Sequence, residues 1–483
     1  MGDAAAEARG LAIIGAEYRA LDKIPERAKV FGFWDQAALW FGAGSLPAAW
    51  LYGAIMAGWT GLAGALLLIL VVSPITFLPW ALLGYIAFRT GGASVAIVRP
   101  AFGLRGSIVP AIGYLIFGFG WGAVNVFVGS IGTSFIFKGL FGTPALGEPG
   151  FQGPMAISIL VTCVVQGAFA VAGHRAIRLL EWIATVGLIV LGAYETYLAL
   201  SSWGFRSLFA WQPPAVGLTT SIGPFTYVIT FALLVDLLVA YNWTWEFIGD
   251  FSRFARTPTA GTIGPWVGAN LAQTWWFFVG ALGVVFLAVQ TGQFNPQLSD
   301  PSSVATRLGF GWGAYFVILA ATVATNVGNI YASAQGISQL FPRAKLSIRA
   351  LLLFVALIVV PLSLLPLFAS ELLGSYIFFL DFLGAIVIPL WTIALVDYFF
   401  VKRRDYTDDL FRTDGGAYWY GGGVHWPAIV CLALGTAIYW LIAFGAPQLR
   451  ISITATIPTV VIAGGLYGFW GRARVRAVGS QPT

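Results

Sequence analysis

Twelve apolar runs, each about as long as a bilayer is thick, organise this sequence: residues 33–57, 61–87, 107–136, 155–173, 178–200, 223–249, 265–290, 312–338, 348–369, 373–399, 425–445 and 452–470. A helix needs about 20 apolar residues to cross roughly 30 Å of hydrocarbon. The runs are continuous and lack period-two alternation, so they read as helices and not as barrel strands. Only a lipid solvent suits such a chain. Charged residues make up 10% of it and hydrophobic residues 58%, whereas a soluble protein carries about 25% charge. Disorder, a disulfide scaffold and a cytosolic enzyme are excluded. The expected fold is an all-α membrane protein of about 12 transmembrane helices.

The few charges then give the topology. Of 26 Lys and Arg, 22 fall in the termini and the loops on one side of such a bundle. The other side holds only Lys138, Arg206, Arg307 and Arg450. Positive residues stay cytoplasmic, so both termini are expected inside, and the net charge of +6 is a topology signal with no nucleic-acid partner implied. Cys163 and Cys431 sit within apolar runs and read as core residues. No zinc motif, phosphate loop or Ser/His/Asp arrangement can be assembled, so neither an enzyme nor a cofactor is expected. Leu11 to Ile14 is too short an apolar stretch for a signal peptide.

Polar and helix-breaking residues concentrate in four runs. The first contains Gly42, Gly44 and Pro47 within six residues, which should interrupt a helix near the bilayer midplane. Carbonyls freed there can face a cavity and bind a cation; a simple Pro kink is the alternative. The sixth run carries Asp236, Tyr241, Asn242, Trp243, Trp245, Glu246 and Asp250. Each charge costs at least about 2.5 kcal/mol in the membrane, so Asp236 and Glu246 should face protein or water. Asp250, followed by Arg253, fits a charge network at a helix end.

The third run has Gly118, Gly122, Asn125, Gly129 and Gly132 at helical spacing, a flat stripe for close helix contact. Trp121 and Asn125 are four apart and share a face, so a planar ligand could stack on the indole and bond the amide. In the eighth run Thr325, Asn329 and Ser333 share a face, with Asn326 one position round. These groups suit a small hard cation or the edge of a heterocycle.

Runs 1 and 6, both broken, and runs 3 and 8, both polar, are each five runs apart. Five is odd, so the two copies would be inverted in the membrane. Broken helices at matching positions of inverted halves point to a secondary transporter with a midplane site. The expected organisation is a cytoplasmic segment (1–32), a first five-helix repeat (33–200), an external connection (201–222) and a second repeat (223–400). A cytoplasmic loop (401–424), two peripheral helices (425–470) and a cytoplasmic tail (471–483) complete it. Without an ATP-binding motif, an ion gradient is the economical energy source.

Gly32-Phe33-Trp34-Asp35 leading into Ala38-Leu39-Trp40-Phe41-Gly42-Ala43, then Gly120-Trp121, Gly249-Asp250-Phe251-Ser252-Arg253-Phe254 and Thr325-Asn326-Val327-Gly328-Asn329-Ile330-Tyr331, resemble the nucleobase:cation symporter-1 family. The likeness spans roughly residues 25 to 400 and is closest to its bacterial cytosine and hydroxymethylpyrimidine permease branch. It implies a five-plus-five inverted repeat like that of sodium-coupled amino-acid symporters, and uptake of a flat heterocycle with a cation. It also implies that Trp121 and Asn125 hold substrate, Asn125 standing where the family often has Gln. Ser45, Asn326 and Asn329 would join them, with a second stacking aromatic among Tyr241, Trp243 and Trp245 beside Asn242. The resemblance places a sodium site at Gly42, Ala43, Ala321 and Thr325, with Ala324 standing where sodium-coupled members can have a Ser. The coupling ion stays open between Na+ at that site and H+ through Glu246 or Asp236. The partners expected are a heterocyclic solute and lipid, for a monomer in the bacterial inner membrane. An amino-acid symporter of the same architecture is the alternative.

Overall fold

The computed structural model describes residues 18, 21–172, 174–214, 219–222, 225–295, 299–340, 348–368 and 372–479. Leu11 to Ile14, Arg9, Arg19, Arg343 and Lys345, which enter the sequence argument above, lie outside them.

The first run is two helices, α1 (Phe33–Gly44) and α2 (Pro47–Leu67). Pro47 lacks the N–H that would bond the Ala43 carbonyl. The chain leaves helical geometry at Ser45 (φ −83°, ψ 78°) and Leu46 (φ −140°, ψ 150°). Gly61, at φ 67°, turns the chain between the first and second runs, a conformation glycine adopts without strain. A π-helical turn (Leu68–Val72) then leads into α3 (Ser73–Thr90). Next come α4 (Ile108–Phe141), α5 (Gln152–Ala172) and α6 (His174–Ala210), the last kinked at Gly204.

The sixth run departs from its expected start. Phe225 to Val228, expected within its first turns, instead form β2 (Phe225–Val228), antiparallel to β1 (Thr219–Ile222); residues 223 and 224 lie outside the described residues. The fold is mostly helical as expected, with this one short hairpin among the described residues. Phe225 packs on Phe378 and Phe444, and Tyr227 on Phe444; this apolar cover over the helix ends mimicked a membrane span. The span itself starts at α7 (Phe231–Trp243), whose first turn is capped by the Thr230 hydroxyl accepting from the Leu233 N–H. After the interruption at Thr244–Phe247 it resumes as the short α8 (Ile248–Ser252).

The second half continues with α9 (Pro258–Thr291), a short α10 (Pro301–Arg307), α11 (Trp312–Leu340), α12 (Ile348–Leu364) and α13 (Leu372–Val396). α14 (Trp426–Trp440) follows a structured loop. The twelfth run is also corrected. It is broken into α15 (Pro447–Ile453) and α16 (Thr456–Gly479), bent by 85° at Thr454, which sits at φ 58°. Among the described residues seven helices are each long and apolar enough to cross a membrane, or eight if the bent pair counts as one span. The remaining runs fall on shorter apolar helices such as Phe231–Trp243, Trp312–Asn326 and Leu353–Phe368.

Small residues set the helix spacing. Helix α9 runs against α1, α2 and α3. A Cβ at Gly280 would lie 1.9 Å from the Trp50 carbonyl oxygen, and one at Gly53 would lie 2.0 Å from that of Phe277. The glycine stripe of α4 is spent the same way, Gly118 on Ser333 and Gly129 on Thr322 of α11. Helices α14 and α16 pack on α13 and on each other. The segment before α1 is stitched to the body: the Phe31 N–H donates to the Phe254 carbonyl (3.1 Å) and the Arg256 N–H to that of Phe31 (2.8 Å). Lys23 pairs with Asp408 in the loop after α13 at 2.7 Å.

Candidate functional site

A cavity of about 730 Å³ opens where the two broken segments face α4, α6 and α11. The α1–α2 break contributes Gly42, Ala43, Ser45 and Leu46, and the α7–α8 break Tyr241, Thr244, Trp245 and Phe247. From there the cavity runs along Ala38 and Leu39, Phe251, and Ala184 to Ile189. It therefore extends toward the N-terminal end of α1.

Aromatic groups divide cleanly. Trp121 donates its indole N–H to the Thr244 hydroxyl (2.9 Å) and meets Tyr241 and Phe379 edge-on, at 5.1 and 5.3 Å. Those contacts fix the ring while it lines the cavity. Trp245 lines it too, stacked on Trp40 at 5.9 Å, with its carbonyl accepting from Trp80. Trp243 turns away: its indole N–H donates to the Thr76 carbonyl, and its own carbonyl accepts from Trp391. Asn242 also points at α3, donating to the Thr76 hydroxyl at 2.8 Å. Of the sixth-run candidates, Tyr241 and Trp245 are in the cavity, and Trp243 and Asn242 are not.

The amides form one network. Asn125 and Asn329 line the cavity; Asn326 lies behind them. The Asn326 Nδ2 donates to the Gly122 carbonyl (2.9 Å) and to Gln166 Oε1 (2.8 Å). Its Oδ1 accepts from Asn125 Nδ2 and Asn329 Nδ2, each at 3.2 Å. Sequence reasoning missed Gln166. Its signal was an amide within an apolar run of α5, where an unbonded polar group is costly.

Gly42, Ala43, Ala321, Ala324 and Thr325 all line the cavity. The acids part company. Asp236 lies away from the cavity with its oxygens taken: Arg450 Nε donates at 2.9 Å, and the Ala455 N–H, Thr456 N–H and Thr456 hydroxyl all donate to it. Arg450 also forks onto Asp381, at 2.9 and 2.6 Å. An arginine expected in an external loop is thus buried, and Asp236 ties helices together where a coupling group was expected. Glu246 is buried between the cavity residues Trp245 and Phe247, and its Oε1 has no partner among the described residues. Glu195 of α6, unremarked in the sequence, is likewise buried with both oxygens unpartnered among them.

The family described as "Permease for cytosine/purines, uracil, thiamine, allantoin" matches residues 23–470. The chain belongs to this family. It is similar to a hydantoin permease of Microbacterium maritypicum, 26% identical over 74% of this chain and 70% of that one. A purine-uracil permease of Arabidopsis thaliana is 27% identical over 84% of this chain and 68% of its own. Among solved structures, the inward-facing conformation of Mhp1 superposes with a TM-score of 0.73 at 20% identity, over 93% of this chain and 92% of that one. The closed conformation of Mhp1, a nucleobase-cation-symport-1 family transporter with bromovinylhydantoin bound, gives 0.70 at 20% identity, over 92% and 94%. These likenesses show the fold. The protein is a multi-pass membrane transporter and not an enzyme.

Proposed function

We propose that this permease imports a nucleobase or related flat nitrogen heterocycle by cation symport through alternating access. One observation carries the reading: both broken segments open onto a single cavity that holds Trp121, Trp245, Asn125 and Asn329. Rings bind by stacking on indoles, and their polar edges need amide partners. Hydantoin, cytosine and purine-uracil permeases among the relatives support that substrate class over an amino acid. The cavity's extension toward the N-terminal end of α1 fits an inward-open state, with twelve spans in two inverted repeats of five, two peripheral spans and both termini cytoplasmic. A monomer in the inner membrane, without a cofactor, completes the reading.

Na+ is the coupling ion we favour. Pro47 leaves the Ala43 carbonyl without its helical donor, and Gly42, Ala321 and Thr325 line the same cavity, so a carbonyl and the Thr325 hydroxyl are available to a hard cation there. The proton alternative keeps Glu246, whose Oε1 has no partner among the described residues; the taken oxygens of Asp236 argue against it. Uptake of radiolabelled hydantoin, uracil and cytosine into proteoliposomes is the test, with a sodium gradient at fixed pH and then a pH gradient without sodium. Uptake that ignores sodium sinks the sodium reading, and uptake of no ring sinks the substrate class.

A further inference from the structure

Resting on that substrate reading, we infer that Asn326 and Gln166 fix the orientation of the two cavity amides so that their carbonyl oxygens are left for the ligand. The transported ring must then offer N–H donors, as in a cyclic amide or ureide. The inference starts from a backbone group. The Gly122 carbonyl can only accept, so the Asn326 atom 2.9 Å from it is the nitrogen, which removes the usual ambiguity between amide N and O. The second hydrogen of that nitrogen goes to Gln166 Oε1 at 2.8 Å. Asn326 Oδ1 then faces the other way, and both Asn125 and Asn329 turn their NH2 groups to it.

Both hydrogens and both lone pairs of Asn326 are consumed, so it is spent as a ligand partner. Asn125 and Asn329 each keep an Oδ1, to which nothing among the described residues donates, and both residues line the cavity. Water can satisfy those acceptors while the cavity is open. A ring that displaces the water must satisfy them itself, because an acceptor left unsatisfied on burial is costly. Asn326 and Gln166 are positioning residues: they never reach the ring, yet they decide which edge of it is welcome.

The test measures affinities by thermal stabilisation of the purified full-length protein with uracil, hydantoin and their N1,N3-dimethyl forms. In the wild type, removing both donors should weaken binding by about ten-fold or more. In Asn326→Leu the two cavity amides lose the acceptor that orients them, and the preference for the parent ring should shrink to within about three-fold. Gln166→Leu serves if Asn326→Leu does not fold, with a partial shrinkage, because Gly122 still holds Asn326. A steric clash of the methyl groups would survive both substitutions, so an unchanged preference in a folded variant overturns the inference. Equal binding of parent and dimethyl rings by the wild type also overturns it while leaving the transport reading standing. Stabilisation by no ring at all defeats the transport reading and this inference together.

Discussion

Arg450→Met should be among the most damaging single changes outside the cavity. The guanidinium gives one bond to Asp236 and a fork to Asp381, with both carboxylates fully buried and the arginine side chain 5% exposed. The losses are unequal. Asp236 keeps three donors from Ala455 and Thr456, whereas among the described residues Asp381 keeps only the Tyr439 hydroxyl at 2.7 Å. Removing one partner of a buried ion pair costs about 3–5 kcal/mol, chiefly because the other charge is stranded. Most of that loss should therefore sit on Asp381, and the double change Arg450→Met with Asp381→Leu should recover most of it. The assay is thermal unfolding of the detergent-purified protein across the cycle of single and double variants. We expect a melting point several degrees lower for Arg450→Met and near-recovery in the double variant. A single variant that melts within about one degree of the wild type, or a double variant no better than the single, would refute the reasoning.

Further outcomes follow from the cavity and the packing. Trp121→Ala should weaken ring binding by about 1–3 kcal/mol, the worth of stacking a base on an aromatic ring, and Trp245→Ala should weaken it as well. Trp243→Phe should leave ligand affinity unchanged in the same titrations, since that indole bonds α3. Ala324→Ser adds a hydroxyl beside Thr325, so the sodium concentration giving half-maximal uptake should fall. Gly280→Ala drives a methyl into the Trp50 carbonyl and should cost about 1–3 kcal/mol by overpacking, read as a lower melting point with α2 and α9 displaced.

Much of this was legible in the sequence because it depends on chain-local chemistry. Gly42, Gly44 and Pro47 announce a break because glycine freedom and the missing proline N–H act on the chain locally. The stripe of Gly118 and Gly129 announced a close neighbour, which proved to be α11. What stayed hidden depends on pairing across the fold. Phe225 to Val228 are apolar enough to extend a span, and only their packing on Phe378 and Phe444 shows them to be a strand. Asp236 looked like a coupling group until Arg450, 214 residues away, arrived to claim it. Trp243 and Trp245 are two positions apart, and only the break at Thr244 decides which of them reaches the cavity. Gln166 gains meaning only beside Asn326, 160 residues on.

The hydrogen bonds joining Phe31 to Phe254 and Arg256 have a mechanical consequence. They tie the segment just before α1 to the stretch just after α8, from different halves of the chain, and α1 and the stretch from Phe247 to Phe251 both contribute to the cavity lining. Two elements fastened at their ends are expected to be displaced together, relative to the α6 residues that line the same cavity. A pair of distance labels from α1 to α6 and a second from the stretch after α8 to α6 should then report the same change, and independent changes would refute the coupling.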